Sequence, residues 1–296
     1  ESSFQLGTDF RDRETERQKQ LQERRRDRPG SVSDAPRRFQ LKEQNAFSVS
    51  ISPNGSLIAA GQYQYVNVWD LQTGDVVTEI RASENAIYPV RFSPDGLVLA
   101  AGSYASYPYT GEITLWSPTS GERLGTIHND SGEMGHSFGF SLDGRVLALG
   151  AKDRQVYLFD VESGRKQNTF TATKYVANSI AFVPPSFLLI AGVVPRTEHE
   201  SPVVPGIEIW DSTTLKPVRT LEAIEGFYIV SGLAVSPDGS MLAAGLSGNG
   251  GRVLLWDMKT FDRTMLAGYD GAVDTLAFSS DGKYLAAGCQ DKRVRM

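Results

Sequence analysis

Apolar positions along this chain fall in short runs, most of them bounded by turn residues. Leu233-Ala234-Val235 leads into Ser236-Pro237-Asp238-Gly239; residues 240–245 follow, then a Gly/Asn-rich loop, then Val253-Leu254-Leu255-Trp256-Asp257, and a last run around Thr264-Met265-Leu266. Runs of this length between turn clusters read as strands. Serine first, proline second and glycine fourth are residues that a type I turn favours. Residues 232–266 therefore predict four short strands, the first two joined as an antiparallel hairpin.

The same unit recurs along the chain. The turn returns as Ser52-Pro53-Asn54-Gly55, Ser93-Pro94-Asp95-Gly96, Ser141-Leu142-Asp143-Gly144 and Ser279-Ser280-Asp281-Gly282, while Pro184-Pro185-Ser186 holds its place in a worn fourth copy. Each turn leads to an apolar run ending in glycine, at Gly61, Gly102, Gly150, Gly192, Gly245 and Gly288, which makes six copies spaced 41 to 53 residues apart. A third mark is an aromatic, usually followed by aspartate: Trp69-Asp70, Trp116-Ser117, Phe159-Asp160, Trp210-Asp211 and Trp256-Asp257. All four tryptophans of the chain fall at this one position. Self-similarity of this period marks a repeat architecture.

Turn, glycine and Trp-Asp in register resemble the unit of the WD-repeat β-propeller family, over residues 38–296. The resemblance implies an all-β fold of four-stranded antiparallel blades around a central channel, six- or seven-bladed, in which an N-terminal strand often completes the last blade. Phe39-Gln40-Leu41 lies where that strand is expected, and the sixth copy stops at Met296, one residue before its aromatic. The family's Gly-His before the innermost strand is missing from most copies; Gly268-Tyr269 stands there in the sixth, and Gly135-His136 sits too close to Phe140. None of the family's buried histidine network is therefore carried over. A sheet of about 40 residues cannot bury enough apolar surface alone, so each copy is expected to pack both faces on neighbours. The repeat aromatics then belong to the core, and Gly61 and its equivalents allow close backbone approach where blades converge.

Residues 1–36 differ in kind from the repeats. Between Phe10 and Pro29 only Leu21 is apolar, so a helix here has no stripe to bury and the segment reads as a solvated linker or arm. Residues 11–28 carry eight Lys/Arg against five Asp/Glu, which leaves the remainder near −8 within a net charge of −5. A charge run such as Arg24-Arg25-Arg26 reads as solvated, and a mildly acidic body is a poor ligand for nucleic acid. The predicted organisation is a charged, helix-compatible arm over 1–36 and a propeller over 37–296, truncated within its last visible repeat. Both ends read as the edges of a longer protein, with room for a domain upstream. Cys289 stands alone, so no internal disulfide or cysteine-based metal cluster is expected, and the reading is cytoplasmic. No run of about 18 apolar residues offers a membrane span.

Function is sought where the copies differ. First-to-second and third-to-fourth strand connections are short and uniform, whereas length collects between second and third strands, in residues 103–111 and 193–206, and between copies, in 128–135 and 222–228. In a propeller those longer connections emerge on one face. That face is rich in aromatics: Tyr63, Tyr65, Tyr88, Tyr104, Tyr107 and Tyr109 on the first two copies, with Phe227, Tyr228 and Tyr269 further along and Arg196 placed to anchor an acidic group. Aromatic side chains with polar tips, together with arginine, are what interface centres favour. The expected function is a non-catalytic interaction scaffold for a protein or peptide partner, without cofactor or metal. The alternatives are a hydrolase or lyase seated in the channel, or a sensory domain of a larger signalling protein. For an enzyme the candidates are thin: His128, His136 and His199 show no HExxH spacing or paired ligand motif, there is no GxSxG elbow, and Gly248-Asn249-Gly250-Gly251 lacks the Lys and helix of a phosphate loop. His136, with Asp130 and Glu133 before it, is the best of them.

Overall fold

The computed structural model describes residues 8–27, 46–104, 111–129, 134–151, 153, 155–171, 176–183, 188–194, 206–223, 227–248, 250–279, 281–291 and 293–296. Phe39-Gln40-Leu41, proposed to complete the last blade, lies outside these residues.

A helix, Thr8–Asp27 (α1), precedes the strands. Ser48–Ile51 (β1), Leu57–Gly61 (β2), Tyr63–Asp70 (β3) and the start of Val76–Phe92 (β4) form the first copy; the rest of β4, Leu99–Tyr104 (β5), Gly111–Trp116 (β6) and Arg123–His128 (β7) form the second. One seven-stranded sheet holds both, in the order β1-β2-β3-β4-β5-β6-β7. The shared strand explains this: β4 pairs with β3 from Val76 to Arg81 and again at Ala86, and with β5 from Ala86 to Phe92. No glycine or proline interrupts β4 before Pro89, so nothing ends the strand between the copies.

The third copy is Met134–Phe140 (β8), Val146–Ala151 (β9), Gln155–Asp160 (β10) and Lys166–Thr171 (β11), and the fourth is Val176–Val183 (β12), Leu188–Val194 (β13), Gly206–Asp211 (β14) and Lys216–Glu222 (β15). Phe227–Val235 (β16), Met241–Gly248 (β17), Gly251–Asp257 (β18) and Arg263–Tyr269 (β19) make the fifth, and Val273–Phe278 (β20), Leu285–Cys289 (β21) and Arg293–Arg295 (β22) the sixth. Each of these four copies is its own sheet, of four strands in the third to fifth and three in the sixth. The chain packs as two compact units: one from α1 and the first two copies with Asp143–Val146 and Phe159–Lys166, the other from Gly135–Leu142, Leu147–Leu158 and Gln167–Met296.

Local chemistry accounts for the uniform turns. In the first-to-second turn of the fifth copy, the Ser236 hydroxyl donates to Asp238 Oδ1 at 2.6 Å and accepts the Met241 N–H at 2.9 Å, while the Ser240 N–H donates to the same carboxylate at 3.0 Å. Gly239 closes the turn at φ +73°, a conformation that glycine adopts without a Cβ penalty. Ser52 with Asn54, Ser93 with Asp95 and Ser279 with Asp281 repeat the serine-to-Asx bond. The third-to-fourth turns are built as consistently. Their fifth residue is left-handed and donates its N–H to the carbonyl of the residue after the aromatic: Gly74 to Asp70, Gly121 to Ser117, Gly164 to Asp160, Leu215 to Asp211 and Phe261 to Asp257.

Packing explains why the copies need one another. The side chains of β17 alternate between two cores: Leu242, Ala244 and Leu246 join Trp256 and fourth-copy Ile207, Ile209 and Leu221, whereas Ala243 joins Val253 and sixth-copy Val273 and Leu276. Both faces of the strand are buried, as the period of two requires. Every repeat aromatic is in the core, with Trp69, Trp116, Phe159, Trp210 and Trp256 at most 8% exposed. Glycines at the ends of second strands meet the next copy's backbone. A Cβ on Gly61 would lie 2.6 Å from the Ile87 carbonyl oxygen, one on Gly150 would lie 2.5 Å from that of Ala177, and one on Gly245 would come closer still to that of Val273.

The N-terminal helix departs from expectation. It does bury a stripe: Phe10, Arg11, Glu14, Arg17, Gln18 and Leu21 are the buried or half-buried positions, at helical spacing. Most of the stripe is polar, so hydropathy could not reveal it. Glu14 is fully buried, accepting hydrogen bonds from the hydroxyls of Ser117 at 2.6 Å and Thr119 at 2.7 Å. Arg11 pairs with Asp95, and the Gln18 amide donates to the Gly96 carbonyl at 2.8 Å. The helix is thus seated on turns of the second copy rather than solvated all round.

Two expectations concern stability. Replacing Trp256 by Ala should cost about 3–5 kcal/mol, and Gly245→Ala about 3 kcal/mol by forcing backbone apart; urea denaturation measures both. The other is a response to acid. Hydrogen bonds from Ser236 and Ser240 lower the Asp238 pKa from 3.8 to about 2, and Asp281, Asp257 and Asp211 are lowered likewise by donors in their own turns. A carboxylate with a depressed folded-state pKa contributes stability that is complete above its unfolded value and lost as pH falls through the folded value. Thermal midpoints should therefore fall between about pH 4 and about pH 2. Asp238→Asn, which reproduces the Asn54 turn, should keep the fold and remove part of that slope.

Candidate functional site

The aromatic positions on the first two copies are set by a tight hairpin. The Gln62 N–H donates to the Tyr65 carbonyl at 2.8 Å and Gln64 takes φ +65°, so Tyr63 and Gln64 are the tip between β2 and β3. A non-glycine residue held left-handed marks a conformation that surrounding contacts must enforce. Here Gln62 supplies them. Its buried side-chain amide donates to Asn67 Oδ1 at 2.6 Å, and its carbonyl accepts the Ile87 N–H at 2.9 Å, tying the tip to the second copy.

Register then lines up the tyrosines. Tyr63 lies opposite Ala86, and Ala86 lies opposite Tyr104, a row across β3, β4 and β5. Directly opposed residues share one face of a sheet. Tyr63 is 50% exposed and Tyr88, two residues beyond Ala86, is 43% exposed. Tyr65, half-buried, lies opposite Arg81. Arg81 forms an ion pair with Glu84 at 2.9 Å, to which Gln64 also reaches at 3.4 Å. Beside them a cleft of about 560 Å³ opens, lined by Arg81, Glu84, Asn85, Ser103, Glu112 and His128. It offers both charge signs with amide and hydroxyl groups, the kinds of partner that a polar peptide segment can bond.

The remaining expected positions divide. Tyr107, Tyr109 and Arg196 lie outside the described residues; of Tyr104 and Tyr228 the strand backbone is described. Phe227 and Tyr269 are corrections. Each is 9% exposed, Phe227 in the core with Val230 and Leu246, Tyr269 in the core with Val253 and Val273. The Arg295 guanidinium stands 5.1 Å from the Tyr269 ring centroid, and burial raises the phenol's pKa. The reason is strand extent: β16 already begins at Phe227 and β19 runs on to Tyr269, so both aromatics sit in strands and pack into a core. Sequence reading missed Gln62, Arg81, Glu84 and Glu112 and weighed His128 only as an enzyme candidate; these residues come from four strands and their ends and carry no motif.

Of the enzyme candidates, Asp130, Glu133 and His199 lie outside the described residues, as does the side chain of His136. Among the described residues no group of three or more His, Cys, Asp or Glu is placed to hold a metal ion. No described helix is long and apolar enough to cross a membrane.

Comparison with known proteins finds the same repeat elsewhere. The model of the WD domain, G-beta repeat, matches residues 215–257 and 261–296. The chain is 30% identical over 176 residues to WD repeat-containing protein SL1-17 of Schistosoma mansoni, covering 60% of this chain and 51% of the relative. It is 26% identical over 186 residues to pre-mRNA-processing factor 19 of Oryza sativa subsp. japonica, covering 60% and 32%, and 33% identical over 85 residues to small ribosomal subunit protein RACK1y of the same plant, covering 29% and 24%. The chain thus spans about half or less of the length of these relatives. A chain in the crystal structure of the Mitotic Checkpoint Complex superposes with a TM-score of 0.70 at 21% identity, over 86% of this chain and 75% of that one. The family model thus finds WD repeats in the last copies, the chain is similar to WD-repeat proteins over about half of its length, and the fold is an all-β propeller.

Proposed function

We propose that the chain is an interaction scaffold that binds a protein or peptide partner at the tyrosine-bearing end of its first two copies. The observation that carries this is the exposure of two phenol rings, Tyr63 and Tyr88, on the same two copies that open the cleft lined by Arg81, Glu84, Glu112 and His128. Exposed large aromatics and a polar cleft on the same two copies supply the two kinds of group that interfaces combine. The relatives support the same class, because they include a protein of the small ribosomal subunit and a chain of a checkpoint complex. On this reading the chain is not a catalyst, works in the cytoplasm, and docks a larger protein of which it is one part. The net charge of −5 offers no field for nonspecific nucleic-acid binding.

The test is affinity capture from a lysate with mass-spectrometric readout, comparing the chain with Tyr63→Ala/Tyr88→Ala and with Lys283→Ala, a turn change in the sixth copy. Partners should be retained by the chain and by the Lys283 variant and lost from the tyrosine variant, whose thermal midpoint should shift by about 2 °C or less, as for surface changes. Equal retention by all three would remove the proposed face. Parallel loss of folding would assign both rings to the core.

A further inference from the structure

The third-to-fourth turns carry a carboxylate in every described copy but one. Asp70 accepts the N–H groups of Gln72 and Thr73, Asp211 those of Thr213 and Thr214, Asp257 those of Lys259 and Thr260, and Asp160 that of Ser163. In the second copy Ser117 stands there instead. Its hydroxyl accepts the Ser120 N–H at 3.1 Å and can supply no charge. Glu14 does so from outside the repeat: its carboxylate receives Ser117 Oγ–H at 2.6 Å and Thr119 Oγ1–H at 2.7 and 2.8 Å, with the Arg17 guanidinium 3.6 Å away. Glu14 and Ser117 are both fully buried.

We infer that the turn surface of the second copy is a helix-docking site keyed to a carboxylate, and that α1 is its occupant in cis. The departure from Trp-Asp at Ser117 is what makes the site: an aspartate there would satisfy its own turn and repel Glu14. Selectivity for the second copy results, since each other described turn already holds a carboxylate. Two further contacts set the helix register. Arg11, three residues before Glu14, pairs with Asp95, and Gln18, four residues after it, donates to the Gly96 carbonyl; both acceptors belong to the second copy's other turn. Residues at these spacings lie on one side of a helix. The pattern recognised is therefore Arg, Glu and Gln at i, i+3 and i+7, and it makes no use of an apolar stripe. The site is separate from the tyrosine-bearing end and does not depend on its function.

Hydrogen exchange on the whole chain tests this. A helix of 20 residues with so few apolar side chains is marginal in water, so its amide protection reports docking. Ser117→Asp should lower protection of the α1 amides by about tenfold or more, since bonds to a buried carboxylate are lost. Protection of β6 and of its turn should persist, because aspartate is what the other copies use. Adding Glu14→Lys to Ser117→Asp should restore α1 protection by reversing the charge pair. Unchanged protection in Ser117→Asp, or no restoration in the double variant, overturns the inference. Should Ser117→Asp fail to fold, Glu14→Ala decides: lost α1 protection with an intact turn supports the key, and retained protection overturns it.

Discussion

Leu242, Ala244 and Leu246 point into one core while Ala243 points into another, and neither core is complete without strands from an adjacent copy. This two-sided burial is the constraint on which the architecture rests. A single copy would leave one apolar face in water, at roughly 25 cal/mol per Å². Close approach between copies comes with it. Gly61, Gly150 and Gly245 let a second strand approach the next copy's inner strand, and serine hydroxyls join those inner strands: Ser48 and Ser50 accept the N–H groups of Val90 and Phe92, Ser137 accepts that of Ile180, and Ser231 donates to the Val273 carbonyl. Small residues at these places are therefore a packing requirement, not a record of flexibility.

Once the strands are held by their neighbours, the turns are free to carry the polar chemistry. A serine and an Asx close the first-to-second turn, and an aspartate closes the third-to-fourth turn, each by side-chain bonds that replace absent ladder partners. The fifth residue of the latter turn is left-handed even where glycine is missing. Phe261 accepts that conformation while stacking on the Arg219 guanidinium, 4.2 Å from its ring, and packing on the core. Repetition of the same bonds makes one exception conspicuous. At Ser117 the repeat's own charge is absent, and the helix that precedes the repeats brings it.

Two ends of the same sheet thus differ in their chemistry. Uniform turns at one end leave little room for variation, and the feature found there is α1, held by a carboxylate, a guanidinium and an amide. At the opposite end of β2 to β7, the Tyr63–Gln64 tip is locked by Gln62, and the same two copies expose Tyr63 and Tyr88 and open a polar cleft. Rigid strands below a locked tip present those rings with little conformational entropy left to lose on binding, which favours their use as anchors.

Strand count, repeat period and the burial of every Trp or Phe at the repeat position were legible in the residues, because local turn chemistry and two-residue alternation depend on near neighbours alone. Of the tyrosines on the first two copies, Tyr63 stands exposed at a hairpin tip, a place its short neighbouring runs already suggest. Sequence distance hid the rest. Phe227 and Tyr269 turned inward because strands β16 and β19 extend past their expected ends and meet a neighbouring core, a matter of packing that composition does not record. The cleft residues Arg81, Glu112 and His128 meet only when three strands align. Most plainly, the helix was read as solvated because most of its buried stripe is polar, Arg11, Glu14, Arg17 and Gln18, with only Phe10 and Leu21 apolar. A polar stripe can be buried only where partners await it, and those partners, Ser117, Thr119, Asp95 and Gly96, lie about eighty to a hundred residues away along the chain, within reach only after the second copy has folded.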